Sequence, residues 1–108
     1  MCAWLAERGV EVIATNLRVG REELDIVARD GPVVLIVEVR TRGEGAWSRA
    51  FESIDAKKRA HLTRAAQVLW TTRLSKMEGV ERVRFDVAQV VFDGDDARVE
   101  YVKGAFTA

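Results

Sequence analysis

The 108-residue chain is poor in several things that would fix its class at once. It has one cysteine, Cys2, which excludes an internal disulfide framework and any cysteine-based zinc site. It has one histidine, His61, too few for a histidine-built metal centre. Its one proline and the absence of any glycine- or proline-rich tract leave no linker, so one domain spanning residues 1–108 is expected. The longest unbroken apolar run in the strand segment, Val33 to Val37, is far too short to cross a bilayer. No secretory leader pattern precedes it, since Glu7 and Arg8 interrupt the opening segment. These absences predict a cytoplasmic protein with no membrane partner. Net charge is also lacking: 17 basic and 17 acidic residues cancel, which at first argues against a general nucleic-acid binder.

What is present is a core-forming chain, 48% apolar. Ala3 to Arg8 favours helix, and Gly9 can end it. Val10 to Leu17 is β-branched enough for a strand, followed by a turn at Val19-Gly20-Arg21. Glu23 to Arg29 alternates, with Leu24, Ile26 and Ala28 on one face. Asp30-Gly31 signals a hairpin, and Val33 to Val39 reads as a strand covered on both sides. After a loop around Gly43 to Trp47, a long helix runs from near Ser53 to about Lys76. Two more strands, Arg82 to Phe92 and Val99 to Val102, form a second hairpin. The expected order is helix, three strands, helix, two strands, an α/β domain with helices against the sheet.

Glu38 does not belong in this pattern. A carboxylate inside an otherwise apolar stretch costs several kcal/mol unless it is paired or metal-bound. A two-residue loop at Asp30-Gly31 makes Asp25 the diagonal neighbour of Glu38. A loop at Gly31-Pro32 sets the two acids directly opposite, roughly 5 Å apart between Cβ atoms. A three-residue loop sends them to opposite faces. In the two-residue registers Arg40 shares their face, and Glu23 lies across from Glu38 in the first of them. Two acids in a dry spot repel each other unless a cation or proton relieves them, and Mg²⁺ takes one or two carboxylates while keeping positions for water and phosphate. That is the chemistry of metal-assisted phosphodiester hydrolysis. The plainer alternative is internal ion pairing, Glu38 with Arg40 or Asp25 with Arg29.

The long helix holds a second anomaly. Lys58 falls about 40° from Ile54, inside the apolar stripe that should face the sheet. It either snorkels past the edge or extends its ammonium to an anion on the sheet, the carboxylates or a phosphate; the plainer alternative is an ion pair at the helix start. Lys57 and Arg64 fall on the solvated side, and His61 near the edge of the apolar face reads as structural. Asp86, between Arg82 and Arg84, suits cross-strand pairing. Trp4 and Trp70 read as core residues, whereas Trp47 in its glycine-flanked loop could plug a core edge or stack on an unpaired base.

Glu23-Leu24-Asp25-Ile26-Val27, Val37-Glu38-Val39-Arg40-Thr41-Arg42, Lys58 and Arg84-Phe85-Asp86-Val87, in this order and spacing, resemble the bacterial YraN family. That family is similar to the PD-(D/E)xK nuclease superfamily of restriction enzymes and Holliday-junction resolvases. The resemblance implies a restriction-endonuclease-like three-layer α/β/α core with a mixed five-stranded sheet in the order α-β-β-β-α-β-β, its first helix shortened here. It implies a nuclease acting on DNA with Mg²⁺ or Mn²⁺, in which Asp25, Glu38 and the Val39 carbonyl hold the metal. Arg40, where the superfamily usually has lysine, and Lys58 would engage the scissile phosphate, with Glu23 auxiliary. Arg42, Trp47, Arg49, Lys57 and Lys58 are the expected nucleic-acid contacts, and a homodimer or a larger protein partner is in keeping with so small a domain. Arg40 cannot be a general base, since guanidinium stays protonated. Glu22 stands where the family's motif usually has glycine, adding a negative charge beside the site. A non-catalytic nucleic-acid- or partner-binding module on the same fold is the second reading.

The neutral total conceals a strong asymmetry. From Arg40 to Lys76 nine basic residues face three acidic ones, while residues 1–30 and 81–108 each carry four basic and six acidic. A basic loop and helix beside an acidic strand pair can attract phosphate locally.

Overall fold

The computed structural model describes residues 1–42 and 55–106. A short helix α1 (Cys2–Ala6) leads into three strands, β1 (Glu11–Val19), β2 (Glu22–Asp30) and β3 (Val33–Arg42). Helix α2 (Ala56–Thr72) and a 3₁₀ turn (Leu74–Lys76) follow, then β4 (Arg82–Asp93) and β5 (Asp96–Phe106). The strands lie in one sheet in the order β1-β2-β3-β4-β5. All neighbours are antiparallel except β3 and β4, which α2 joins as a parallel crossover.

Each helix covers one face. Val34 and Ile36 of β3 pack with Leu62, Ala65, Ala66 and Leu69 of α2. Val33, Leu35 and Val37, the alternate residues, pack with Leu5 and the α1 side. That is why Val33 to Val37 is apolar without a break, as expected for a strand covered on both sides. α1 has only five residues, so packing holds it rather than its own hydrogen bonds. Trp4 stacks on Tyr101 at 5.0 Å on this face, half-buried rather than fully in the core.

Several expected boundaries move. The long helix stops at Thr72 because the chain tightens into the 3₁₀ turn, so Leu74 to Lys76 is not α-helical. Its start is set by Asp55, whose carboxylate accepts from the Lys58 N–H at 2.8 Å. β5 extends over 11 residues, well beyond Val99 to Val102. Among the described residues no helix is long and apolar enough to cross a membrane.

The β2–β3 hairpin closes on Asp30 and Val33, so the turn residues are Gly31 and Pro32, not Asp30 and Gly31. Gly31 takes φ 60°, which glycine accepts without strain at the first position of such a turn. The segment before β4 anchors this hairpin: Glu81 N–H donates to Pro32 O at 2.8 Å, and Arg29 Nη2 to Glu78 O at 2.6 Å.

A second irregularity has larger consequences. In β2, Leu24 and Val27 belong to the α2-side core, while Ile26 and Ala28 belong to the α1 side. The expected single face of Leu24, Ile26 and Ala28 is therefore broken at Asp25. In β1, Ala14 and Leu17 both contact the α2 side, so alternation slips there as well. Between them lies Asn16, at φ 49°. The flanking pairs Thr15↔Ile26 and Leu17↔Leu24 set Asn16 opposite Asp25. Both strands change face at one point, with asparagine supplying the left-handed residue that few other side chains tolerate.

Candidate metal and phosphate site

The hairpin register decides which acids can meet. Asp30↔Val33 through Ile26↔Val37 is the Gly31-Pro32 register, and its continuation sets Asp25 opposite Glu38. The β2–β3 ladder ends at that step. One further step would exchange backbone bonds between Leu24 and Val39. Instead the Val39 N–H donates to Asp25 Oδ2 at 2.8 Å. The side chain of Asp25 thus replaces a backbone carbonyl where β2 and β3 part. The N–H and C=O of a strand residue point the same way, so the Val39 carbonyl faces this gap too.

Glu38 stands beside it on the α2 face, 8% exposed. Its partner is Arg40, with Nη2 3.8 Å from Oε1, too long for a hydrogen bond. Oε2 is buried with no hydrogen-bond partner among the described residues. Burial pushes the Glu38 carboxyl above the usual glutamate range, and the charge of Asp25 pushes it further; Lys58 and Arg40 pull it back, and Glu22 raises it again. Of the two expected internal pairs, Glu38 with Arg40 forms. Arg29 turns instead to the carbonyls of Gly31 and Glu78, and leaves Asp25 without it.

Lys58 does reach from α2 to an anion on the sheet. Its Nζ lies 3.3 Å from Glu22 Oε2, while the other oxygen of Glu22 lies 3.0 Å from His61 Nδ1. Lys58 and His61 are three residues apart and so share one helix face. Glu22 reaches them because of the slip at Asp25, which turns Glu22 with Leu24 toward α2. The same slip excludes Glu23: it is exposed and paired in register with Arg18, so the expected auxiliary acid is replaced by its neighbour. No pattern of strict alternation could have found Glu22, though the spacing of Lys58 and His61 was a visible signal for the pair.

The structure therefore gathers Asp25, Glu38, Val39, Arg40 and Lys58 at the end of the β2–β3 ladder under the first turns of α2. Lys57 is exposed beside them. Arg42 ends β3, and its side chain lies outside the described residues, as do Trp47 and Arg49.

The donor set suits a hard divalent cation. Glu38 Oε2 is a buried carboxylate oxygen with no donor among the described residues, Asp25 takes the Val39 N–H through Oδ2 alone there, and the Val39 carbonyl faces the same gap. Among the described residues no three His, Cys, Asp or Glu side chains converge as a ligand group. Two carboxylates with the remaining positions left to water and phosphate is the arrangement Mg²⁺ prefers.

Comparison with known proteins agrees with the breadth of this pattern. The model for "Uncharacterised protein family UPF0102" matches residues 1–90. A UPF0102 protein of Sorangium cellulosum (strain So ce56) is 56% identical over 105 residues, covering 96% of this chain and 73% of that protein. UPF0102 proteins of Anaeromyxobacter dehalogenans (strain 2CP-C) and Ectopseudomonas mendocina (strain ymp) are 39% and 38% identical, covering 96% of this chain and 75% and 85% of their own lengths.

Proposed function

The chain belongs to the UPF0102 family, and from the geometry of its site we propose that it is a divalent-metal-dependent nuclease of the PD-(D/E)xK kind, hydrolysing phosphodiester bonds in DNA. The observation that carries this reading is Glu38, a buried carboxylate with one oxygen lacking a donor among the described residues, one step beyond the Ile26↔Val37 pair and within reach of the Asp25 charge. The likeness to the YraN family and the mixed sheet with a helix on each face support it.

Asp25, Glu38 and the Val39 carbonyl would hold Mg²⁺ or Mn²⁺. When bound, the cation would lower the pKa of water and neutralise charge developing on the phosphate. The chain's own residues divide the remaining work. The Val39 N–H fixes the Asp25 carboxylate so that its orientation is set before substrate arrives. Arg40 is permanently cationic and suited to holding a phosphate oxygen, not to taking a proton. Lys58, held by Glu22 and aimed by the α2 N-terminus, supplies a second cation. Arg40 already compensating Glu38 at 3.8 Å favours the second reading, a nucleic-acid-binding module without catalysis, more than any other feature does.

Thermal unfolding during titration with Mn²⁺ or Mg²⁺ tests the site directly. At a hundredfold excess over its dissociation constant, the ion should stabilise the wild type by about 2.7 kcal/mol. Asp25→Asn and Glu38→Gln should each abolish the shift. A wild type indifferent to both ions would remove the metal-nuclease reading. Cleavage of flaps, junctions and single strands, with the same variants as controls, then separates nuclease from binding module.

A further inference from the structure

On the far side of Glu22 from the paired acids, the β1–β2 turn and α2 enclose a cleft of about 370 Å³. Arg21 stands on the turn side, His61 and Arg64 on the helix side, and Val19 and Val68 contribute apolar wall. Arg21 and Arg64 are exposed and make no ion pair among the described residues. Glu22, the acid in the cleft, is already engaged by Lys58 through one oxygen and by His61 through the other. The cleft is therefore cationic in effect, with two guanidinium groups uncommitted. Val68 is 49% exposed, an apolar surface left open beside them.

We propose that this cleft is a strand-binding subsite, which receives the sugar–phosphate backbone of a single nucleic-acid strand flanking the bond to be cut. It rests on the nuclease reading for its purpose, but the binding itself needs no metal. Guanidinium groups match phosphate oxygens bidentately, and two of them on opposite walls suit a polyanion passing between. The apolar wall of Val19 and Val68 suits a sugar or base edge. No Phe, Tyr or Trp lines the cleft and its cations address phosphate, so contact there is independent of sequence. His61, held at 3.0 Å from Glu22 through Nδ1, contributes its ring to the helix-side wall. Lys58 and Val68 lie about 15 Å apart along α2, so the cleft stands a few nucleotides' reach from the carboxylates.

Fluorescence anisotropy of a labelled single-stranded oligodeoxythymidylate, in EDTA at about 50 mM salt, tests the subsite. Arg21→Gln with Arg64→Gln should weaken binding about tenfold and flatten the salt dependence by about 1.4 in log–log slope, the value for two lost phosphate contacts on a single strand. Arg73→Gln with Lys76→Gln removes the same charge from the segment just beyond α2, and should change affinity less than about twofold. Equal losses in the two double variants, or no loss in the first, would overturn the proposal. Failure of the metal titration with arginine-dependent binding intact would remove the nuclease reading and keep the cleft, and the reverse result would remove the cleft alone.

Discussion

Two acids on neighbouring strands, Glu38 of β3 and Asp86 of β4, are buried one residue apart in register but on opposite faces of the sheet. Asp86 has no exposed surface, and every approach to it is taken. Arg84 donates to it through Nε and Nη2 at 2.8 and 2.9 Å, Tyr101 through its hydroxyl at 2.5 Å, and the Gly104 N–H at 2.9 Å. Gly104 lies at φ 60° in an irregular stretch of β5 that brings its N–H round to Asp86. The tyrosine is held far above its ordinary range, first by burial and then by its hydrogen bond to Asp86. That same hydrogen-bonded pairing raises the Arg84 guanidinium. Glu38 is slightly more exposed, yet it has one cation at 3.8 Å and an oxygen with no donor. A sheet of this size can bury a carboxylate and satisfy it completely, as it does at Asp86. At Glu38 it leaves Oε2 without a donor among the described residues, and the proposed metal site rests on that difference.

Substitutions can break this contrast, starting with the largest effect. Asp86→Ala should cost about 3–5 kcal/mol in urea unfolding, because it strands Arg84 and Tyr101 beside a cavity. A loss under about 1 kcal/mol would show that the network is dispensable and the comparison mistaken. Tyr101→Phe removes one donor and should cost about 1–2 kcal/mol by the same assay. Glu38→Gln should do the opposite in chelator: stability unchanged or raised, within about 1 kcal/mol of wild type. Its pH dependence sharpens the point. The folded-state pKa of Glu38 lies above the ordinary 4.5, so its protonated form favours the fold and its ionised form opposes it. Wild-type stability contributed by this group is complete below 4.5 and is lost as pH rises through the raised value. Glu38→Gln should therefore gain on wild type across that window, measured by urea unfolding at a series of pH values. A gap that narrows with rising pH would contradict the burial account.

Much of this was legible in the residues. Val33 to Val37 announced a strand covered on both faces, and Glu38 directly after that run announced a buried charge that had to be answered. Lys58 inside an apolar helical stripe pointed at an anion on the sheet, and it meets one. The anion proved to be Glu22, however, because period-two reading assumes an unbroken pleat. Asn16 and Asp25 break it together, and every residue before Asp25 on β2 changes face. The network at Asp86 was equally hidden: Arg84 is close in sequence, but Tyr101 and Gly104 arrive from β5 through a pairing irregularity that no local pattern encodes.

The sequence by itself determined which segments pair or coil, that one acid would be buried in an apolar strand, and that positive charge concentrates between Arg40 and Lys76. Those are matters of periodicity and composition, set by the side chains of each segment. Only the tertiary structure decided that Asp25 takes the Val39 N–H where β2 and β3 part, that Glu22 rather than Glu23 serves Lys58, and that Asp86 is complete while Glu38 is not. These depend on register and on single-residue slips between strands, where one step of the pleat reverses the direction of every side chain beyond it.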